Sequence, residues 1–326
     1  MNKAVFVSGL ALAFLGGCSL ESTGEVDQFR EALPSADSVA VDGPETTRTG
    51  DRSASGVRGA LTATPGAPAP AYFYTFTRDV RDGVNVVTAA ILVTVGFVVH
   101  TEPTTVERDR AVWGPYDGDA LDPVAWRLTV TRIEDHHYRY VVEGRRKSDK
   151  TGRFLAVLEG DGYDRQSPSH GDGTFVLDLD NSKLLDPSRH EADSGTVTIV
   201  HDLSRDIGRR IDALPRTITA TVAPKTGEFL VIGSVANTDR TGSLDVTAVV
   251  DIDDVKDGVN EDVAIASRWR ATGAGRADIT IAGGSLTNEV SEVDATECWG
   301  EDFARVFYSD SIDSKPTEGD ETLCAY

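Results

Sequence analysis

The stretch VNVVTAAILVTVGFVV (Val84–Val99) decides the fold that the sequence predicts. Its sixteen residues include no charged side chain, and Asp82 and Glu102 bound it. A helix of this length would be about 24 Å long, whereas a helix that crosses a membrane needs about 20 apolar residues. Apolar residues on every side predict a helix that is buried all round rather than one that lies on a surface.

A pair of strands is the alternative for this stretch, because ten of its sixteen residues are Val, Ile or Thr. Single strands usually have about 4–8 residues, and Gly96 is the only break in the stretch. The length therefore favours a buried helix over two strands, and insertion into a membrane is the least favoured interpretation.

Alternating segments follow the central stretch from Val124 onward. In the first of them Trp126, Leu128 and Val130 share one side, and Arg127 lies on the other. Roughly ten such segments, separated by turn residues, predict an antiparallel meander with one covered face. We therefore expect an α+β fold, in which a strongly curved antiparallel sheet of about ten strands wraps around one central apolar helix. Either a closed or a half-open sheet would fit this pattern.

The N-terminus has the pattern of an export signal. Lys3 precedes an apolar run that ends in LGGC (Leu15–Cys18). This motif resembles the lipobox of bacterial lipoproteins. The resemblance implies that residues 1–17 are removed, that Cys18 carries fatty acyl chains such as palmitate, and that Ser19 directs the protein to the outer membrane. A plain signal peptide with an incidental cysteine is the alternative.

A second unit follows the signal peptide. Of the 28 residues from Gly43 to Pro70, 21 are Gly, Pro, Ala, Ser or Thr. Such a segment cannot bury enough apolar surface to offset its ordering entropy, so it should be a flexible tether. Only Gln28–Leu33 has the pattern of a short helix before it. We expect residues 18–70 to be a lipidated N-terminus with its tether, and residues 71–326 to be a single β-rich domain.

Charge limits the partners of this chain. It carries 32 basic and 53 acidic side chains, for a net charge of −21. Such an excess of negative charge repels phosphate backbones and anionic headgroups. We therefore expect no nucleic-acid partner, and we expect the membrane to be contacted through the lipid on Cys18.

Two cysteines remain besides Cys18, namely Cys298 and Cys324. An even number of cysteines in an exported protein predicts a disulfide. On the chain-entropy model this bond would stabilise the protein by roughly 3–4 kcal/mol. A reactive or metal-binding thiol is the alternative, but neither cysteine has a CxxC or histidine neighbour.

Three segments, within residues 111–132, 266–286 and 297–310, resemble parts of a group of uncharacterised bacterial lipoproteins. The residues that carry this likeness are Trp113, Gly114, Pro115, Trp126, Arg127, Leu128, Trp269, Gly273, Gly275, Arg276, Asp278, Cys298 and Trp299. The resemblance implies no known activity. The expected architecture is also similar to lipoprotein carriers whose curved sheet encloses helices and a lipid chain, although fold alone does not determine function.

No common catalytic motif occurs in the sequence. The nucleophile elbow, Ser-x-x-Lys, the Walker loop, GxGxxG and HExxH are all missing. Gly273-Ala274-Gly275 has the pattern of a hairpin turn. The six histidines are scattered, and the adjacent His136 and His137 would point to opposite faces of a strand. We therefore expect no cofactor and no metal ligand set among the histidines: His100, His136, His137, His170, His190 and His201.

Acidic clusters are the remaining candidates for a site. Asp251–Asp262, DIDDVKDGVNED, holds six carboxylates in twelve residues, and calcium takes six to eight oxygen ligands. Val255 stands where the EF-hand pattern requires another acid or amide, so a solvated hairpin is the favoured interpretation. Asp117-Gly118-Asp119 and Asp161-Gly162-Tyr163-Asp164 have the same status. A pair of carboxylates could also hydrolyse a glycosidic bond.

The sequence thus predicts a lipid-anchored, non-enzymatic protein of the cell envelope, at the outer membrane. One hypothesis is that it binds a lipid or another apolar ligand between helix and sheet. The alternative is an interaction or envelope-structural module with a filled core, and a hydrolase is less favoured.

Overall fold

A computed structural model provides the coordinates of this chain. It describes residues 24–35, 39–44, 70–117, 122–167, 170–188, 194–202, 216–223, 229–237, 239–251, 259–284, 286, 291–312 and 318–326. The predicted signal peptide, Cys18 and almost all of the predicted tether lie outside these residues. The lipidation and the tether therefore stay predictions.

Fifteen strands make up the sheet within the described residues, and each pairs antiparallel with the next in sequence order. They are β1 (Thr105–Glu107), β2 (Arg110–Tyr116), β3 (Val124–Glu134), β4 (His137–Arg146), β5 (Leu155–Ser167), β6 (His170–Asp178), β7 (Thr196–Asp202), β8 (Arg216–Ala223), β9 (Phe229–Ala236), β10 (Gly242–Val250), β11 (Glu261–Trp269), β12 (Gly275–Gly283), β13 (Glu292–Trp299), β14 (Arg305–Asp310) and β15 (Glu318–Gly319).

Three α-helices accompany the sheet in the described part of the chain: α1 (Gly24–Glu31), α2 (Tyr72–Val99) and α3 (Leu179–Leu185). Helix α2 has 28 residues, which corresponds to about 42 Å. Helix α1 packs on β2, β3 and β5, and α3 packs on β4, β5 and β7. No helix in the described residues combines the length and the apolar character needed to cross a membrane.

The predicted sheet wrapped around a central helix is wrong. The fifteen strands form one open sheet that is not strongly curled, and α2 lies against it, touching β11, β12 and β13 and also β2. Among the α2 side chains that the structure describes, the buried ones are spaced by three, four or seven residues and so lie on one side of the helix, whereas Val86 is 64% exposed. A helix with one buried stripe needs one covering layer rather than a surrounding sheet. The stripe consists of Tyr74, Thr77, Val84, Thr88, Leu92 and Val95.

The face of the sheet that carries α2, here called the inner face, holds the core. One row of register partners crosses eight strands on this face, and each of its side chains that has a Cβ is buried. Full burial of a large apolar side chain contributes about 1.5–3 kcal/mol, so rows of this kind hold the layers together. The row runs through Gly160, Phe175, Ile199, Ala220, Ile232, Val246, Ile265 and Ile279.

Residues that precede the predicted tether are part of this core. Phe29 of α1 is buried and meets the ring of Tyr138 edge-on, with ring centroids 6.3 Å apart. The Nδ2 group of Asn85 donates to the carbonyl of Val41 at 2.9 Å, and Oδ1 of Asn85 accepts from the amide of Val41 at 2.7 Å. These paired hydrogen bonds fix an N-terminal segment to the middle of α2.

Candidate functional site

The N-terminus of α2 is bound by a carboxylate from the sheet. Glu297 of β13 is 0% exposed, and it accepts hydrogen bonds from the amides of Tyr72 at 3.1 Å and Phe73 at 2.5 Å. The same carboxylate accepts from Nε of Arg305 at 2.6 Å. The first amides of a helix have no partner within the helix and carry partial positive charge, so Glu297 satisfies two of them while its own charge is paired.

A second buried contact holds α2 to the sheet one turn further on. The hydroxyls of Thr77 and Ser267 share a hydrogen bond of 2.7 Å, and both residues are fully buried. Oγ1 of Thr77 also contacts the carbonyl of Phe73 at 2.7 Å. The first half of α2 is therefore in direct contact with β11 and β13. An apolar ligand cannot lie between helix and sheet at these two positions.

The two predicted disulfide cysteines form a disulfide, with their Cα atoms 5.3 Å apart. Cys298 is fully buried on β13, next to Glu297. The bond ties the C-terminal segment to the strand that binds the N-terminus of α2. Cys18, the predicted lipidation site, lies outside the described residues.

The acidic loop Asp251–Asp262 is only partly described, because residues 252–258 lie outside the described residues. At its two ends Asp251 and Glu261 are buried, while Asp262 is exposed. Among the residues that the structure does describe, no three His, Cys, Asp or Glu side chains are grouped so that they could hold a metal ion. The preference for a solvated hairpin over a calcium site therefore stays a prediction.

The opposite, outer face of the sheet carries the most chemically varied group of side chains, here called the His–Tyr cluster: His137, Arg139, Asp161 and Tyr163. These residues alternate along β4 and β5 with Tyr138 and Gly162, which are buried on the inner face. Arg139 pairs with Asp161 across the two strands. Strand alternation therefore places all four side chains on the face away from α2.

Contacts within the His–Tyr cluster orient its rings. The rings of His137 and Tyr163 are stacked, with centroids 4.4 Å apart. Nε2 of His137 hydrogen-bonds Oδ1 of Asp161 at 3.2 Å, and Arg139 donates to both carboxylate oxygens at 3.3 Å. Tyr163 is 42% exposed. The arrangement presents an aromatic surface beside a guanidinium.

Sequence reasoning did not find this cluster. It considered His137 as a possible metal ligand, on a strand next to His136, and Asp161–Asp164 as one of several acidic clusters. His136, with a φ of 57°, does lie in the turn before β4, but His137 is the first residue of the strand. The signal available in the sequence was the alternation of Asp161 and Tyr163 with two glycines. These residues lie next to His137 only because of the register in which β4 and β5 pair.

Several residues that carry the lipoprotein resemblance make structural contacts. Nε1 of the buried Trp113 donates to the carbonyl of Thr101 at 3.2 Å, and Nε1 of the buried Trp299 donates to that of Gly273 at 2.9 Å. Gly273 has a φ of 93°, a conformation that glycine adopts without strain. These tryptophans therefore hold turns and the helix end in place.

Arg276 and Asp278 form a polar network on the outer face. Arg276 donates to the Asp278 carboxylate at 2.7 and 2.9 Å, and Oγ1 of Thr296 donates at 2.9 Å. Partial burial acts to raise the pKa of Asp278, but the hydrogen bonds from Arg276 and Thr296 outweigh it and the pKa is lowered. Arg268 is a further cation 3.8 Å away. This network stabilises an ionised carboxylate and leaves it no role as an acid.

Comparison with known proteins gives no relative: no family model, no curated protein and no solved structure matches this chain. The resemblance to bacterial lipoproteins therefore stays a prediction that rests on the sequence.

Proposed function

We propose that this protein is a lipid-anchored, non-enzymatic module of the bacterial cell envelope, at the outer membrane, which binds a partner through the outer face of its sheet. The observation that carries the proposal is the contact of α2 with the inner face. Glu297 and Ser267 hold the helix directly on the sheet, so the inner face is occupied by the chain itself. The outer face is then the large surface that can engage another molecule.

The His–Tyr cluster is the part of the outer face best suited to a partner. Tyr and Arg are enriched among the residues that contribute most to binding at protein interfaces. Tyr163 and Arg139 are exposed, and their neighbours His137 and Asp161 restrain them. Side chains that are already ordered lose less conformational entropy when a complex forms.

An apolar ligand between helix and sheet is the alternative function. The hydrogen bonds at Glu297 and Ser267 disfavour it at the beginning of α2. A hydrolase is less favoured, because the Asp161 carboxylate of the His–Tyr cluster is engaged by both His137 and Arg139.

Photocrosslinking in cells tests the proposal. A photoreactive phenylalanine analogue at position 163, in the full chain, is expected to crosslink to one defined envelope protein. The matched control places the analogue at Ile312, which is also exposed but follows β14. Equal crosslinking from both positions, or none from position 163, would contradict the proposed working surface.

Fractionation tests the anchor separately. The variant Cys18→Ser should move from the membrane fraction to the soluble fraction, and the mature protein should lose the mass of its acyl chains. If wild-type protein with an unmodified Cys18 stays in the membrane fraction, the lipid anchor is not the attachment.

A further inference from the structure

The turn between β4 and β5 has a charge opposite to that of the chain. Residues 145–153, RRKSDKTGR, here called the basic hairpin, hold five basic side chains and one acidic side chain, whereas the whole protein has a net charge of −21. Arg146, Lys150 and Arg153 are exposed. The protein therefore presents a local cationic surface within a strongly acidic molecule.

Contacts within the basic hairpin keep it ordered. The guanidiniums of Arg127 and Arg145 lie over the ring of Phe154, at 4.3 and 4.8 Å from its centroid. Nη1 of Arg145 donates to the carbonyl of Lys150 at 2.9 Å. The amide of Asp149 donates to the carbonyl of Arg146 at 3.0 Å, which closes the turn. The basic side chains are thus held on a defined turn.

An exposed apolar side chain lies on α3, the helix that packs on the two strands flanking this hairpin. Helix α3 packs against β4 and β5, and Nδ2 of its Asn181 donates to the carbonyl of Ala156 at 2.8 Å. Leu184 of this helix is 57% exposed. Basic side chains together with an exposed leucine are typical of surfaces that bind the interface of an anionic membrane.

The acidic turn at the far end of β4 is screened from this surface at physiological salt. Strand β4 has ten residues, so the acidic turn with Glu134 and Asp135 at its other end is about 33 Å away. The Debye length is about 10 Å at 0.1 M salt and about 30 Å at 0.01 M.

Closer acidic side chains include Asp149 in the hairpin and Asp122, whose hydrogen bond from the neutral Nε1 of Trp126 at 3.1 Å leaves its charge in place. Glu143 is paired with Arg127 at 2.9 Å. The five basic side chains of the hairpin outnumber Asp149 and Asp122.

We propose that the basic hairpin and Leu184 bind the anionic headgroups of the membrane to which the protein is anchored. The identification of this membrane as the outer membrane rests on the proposed lipid anchor. Binding to anionic headgroups does not depend on that anchor. A long polyanion such as nucleic acid would also meet the repulsive field of the remaining surface. A bilayer is touched only by the hairpin end of the sheet. The whole-chain charge predicts repulsion, and the distribution of charge locally reverses it.

Vesicle flotation tests the inference with residues 19–326, which lack Cys18 and therefore carry no lipid. Vesicles of phosphatidylglycerol and phosphatidylcholine are compared with vesicles of phosphatidylcholine alone. Binding to the anionic vesicles should be greatest near 0.1 M salt and weaker at both about 0.01 M and about 1 M, because distant acids repel at the lowest salt and all charges are screened at the highest. Binding that falls steadily from the lowest salt, or equal binding to both vesicles, would overturn the inference.

Charge reversal locates the surface. One Lys or Arg near an anionic membrane contributes about 1 kcal/mol, or about fivefold in binding, so Lys150→Glu with Arg153→Glu should weaken binding by more than about tenfold. Arg108→Glu with Arg110→Glu makes the same change in net charge at the opposite end of the sheet and should change binding less than about twofold. Equal losses from the two pairs would contradict the assigned surface.

Leu184→Gln tests the contribution of the exposed leucine to vesicle binding. It should weaken binding at every salt concentration, while binding should still be greatest near 0.1 M salt. Thermal unfolding of each variant verifies that the fold is kept. The lipid anchor is tested by the mass of Cys18, so failure of the vesicle experiment is distinguishable from failure of the proposed anchor.

Discussion

Glu297 on β13 and Arg305 on β14 form an ion pair, with 2.6 Å between Oε1 and Nε, and the Glu297 carboxylate is fully buried. This carboxylate also binds the first amides of α2. Arg305 extends the contact to Glu318 of β15 at 2.9 Å. One ion pair thus joins the helix to the last three strands of the sheet.

Removing Glu297 should destabilise the protein strongly. Glu297→Ala leaves two helix amides and a partly buried guanidinium without their partner, and breaking a buried pair in this way costs about 3–5 kcal/mol. The measurement is the free energy of unfolding in urea. Glu301→Ala, at an exposed position on the following turn, is the matched control and should have an effect below about 0.5 kcal/mol. Similar values for the two variants would contradict the role of Glu297.

The Thr77–Ser267 hydrogen bond should appear as coupling between helix and sheet. Thr77→Val removes this partner of the buried Ser267 hydroxyl, at a cost of about 1–3 kcal/mol. Ser267→Ala should cost less, because the Thr77 hydroxyl keeps its hydrogen bond to the carbonyl of Phe73. The double variant should cost less than the sum of the two, by about 0.5 kcal/mol or more. Unfolding of all four proteins in a double-mutant cycle measures this coupling. Strict additivity would mean that the two side chains do not interact.

Loss of the disulfide should lower stability without changing the fold. Cys298 and Cys324 are 26 residues apart in sequence, and on the chain-entropy model a loop of this size contributes about 3–4 kcal/mol. Cys298→Ser with Cys324→Ser should lower the midpoint of urea unfolding and keep the circular dichroism spectrum. A reducing agent should lower the midpoint of the wild type and leave that of the variant unchanged. If it lowers both equally, the disulfide is not the cause.

Acid should weaken the outer-face network around Asp278. The pKa of Asp278 is lowered in the folded protein. Its contribution to stability is therefore complete above the pKa of the unfolded chain, about 3.9, and is lost as the pH falls through the lower folded pKa. Asp278→Asn should reduce the thermal midpoint at neutral pH. The difference from the wild type should shrink below about pH 4, and a constant difference would contradict this assignment.

The ten alternating segments predicted from the sequence match strands β3–β12. In a strand with one buried face, apolar and polar residues alternate with a period of two. In strand β13 Val293, Ala295 and Trp299 alternate with polar residues, but the acid Glu297 interrupts the apolar face. Only Arg305 and the N-terminus of α2 make this acid compatible with burial. A hydrogen-bond partner that only the tertiary fold places nearby cannot be predicted from the sequence of the strand.

The helix was placed correctly around Val84–Val99, but its surroundings were not. Composition indicates how apolar a segment is and does not indicate which of its sides another layer will cover. The helix also begins earlier, at Tyr72, in a charged segment that includes Arg78 and Asp79. Glu297 supplies the contact that starts it there. The His–Tyr cluster was missed for the same reason, because its members meet only through strand register.

The most direct test of the account is native mass spectrometry of residues 19–326 after export to an oxidising compartment. Because α2 lies directly on the sheet, and because we propose the outer face as the working surface, we expect the mass of the chain alone, two hydrogens short because of the disulfide. A bound mass that extracts into organic solvent would contradict this and would favour an apolar ligand between helix and sheet.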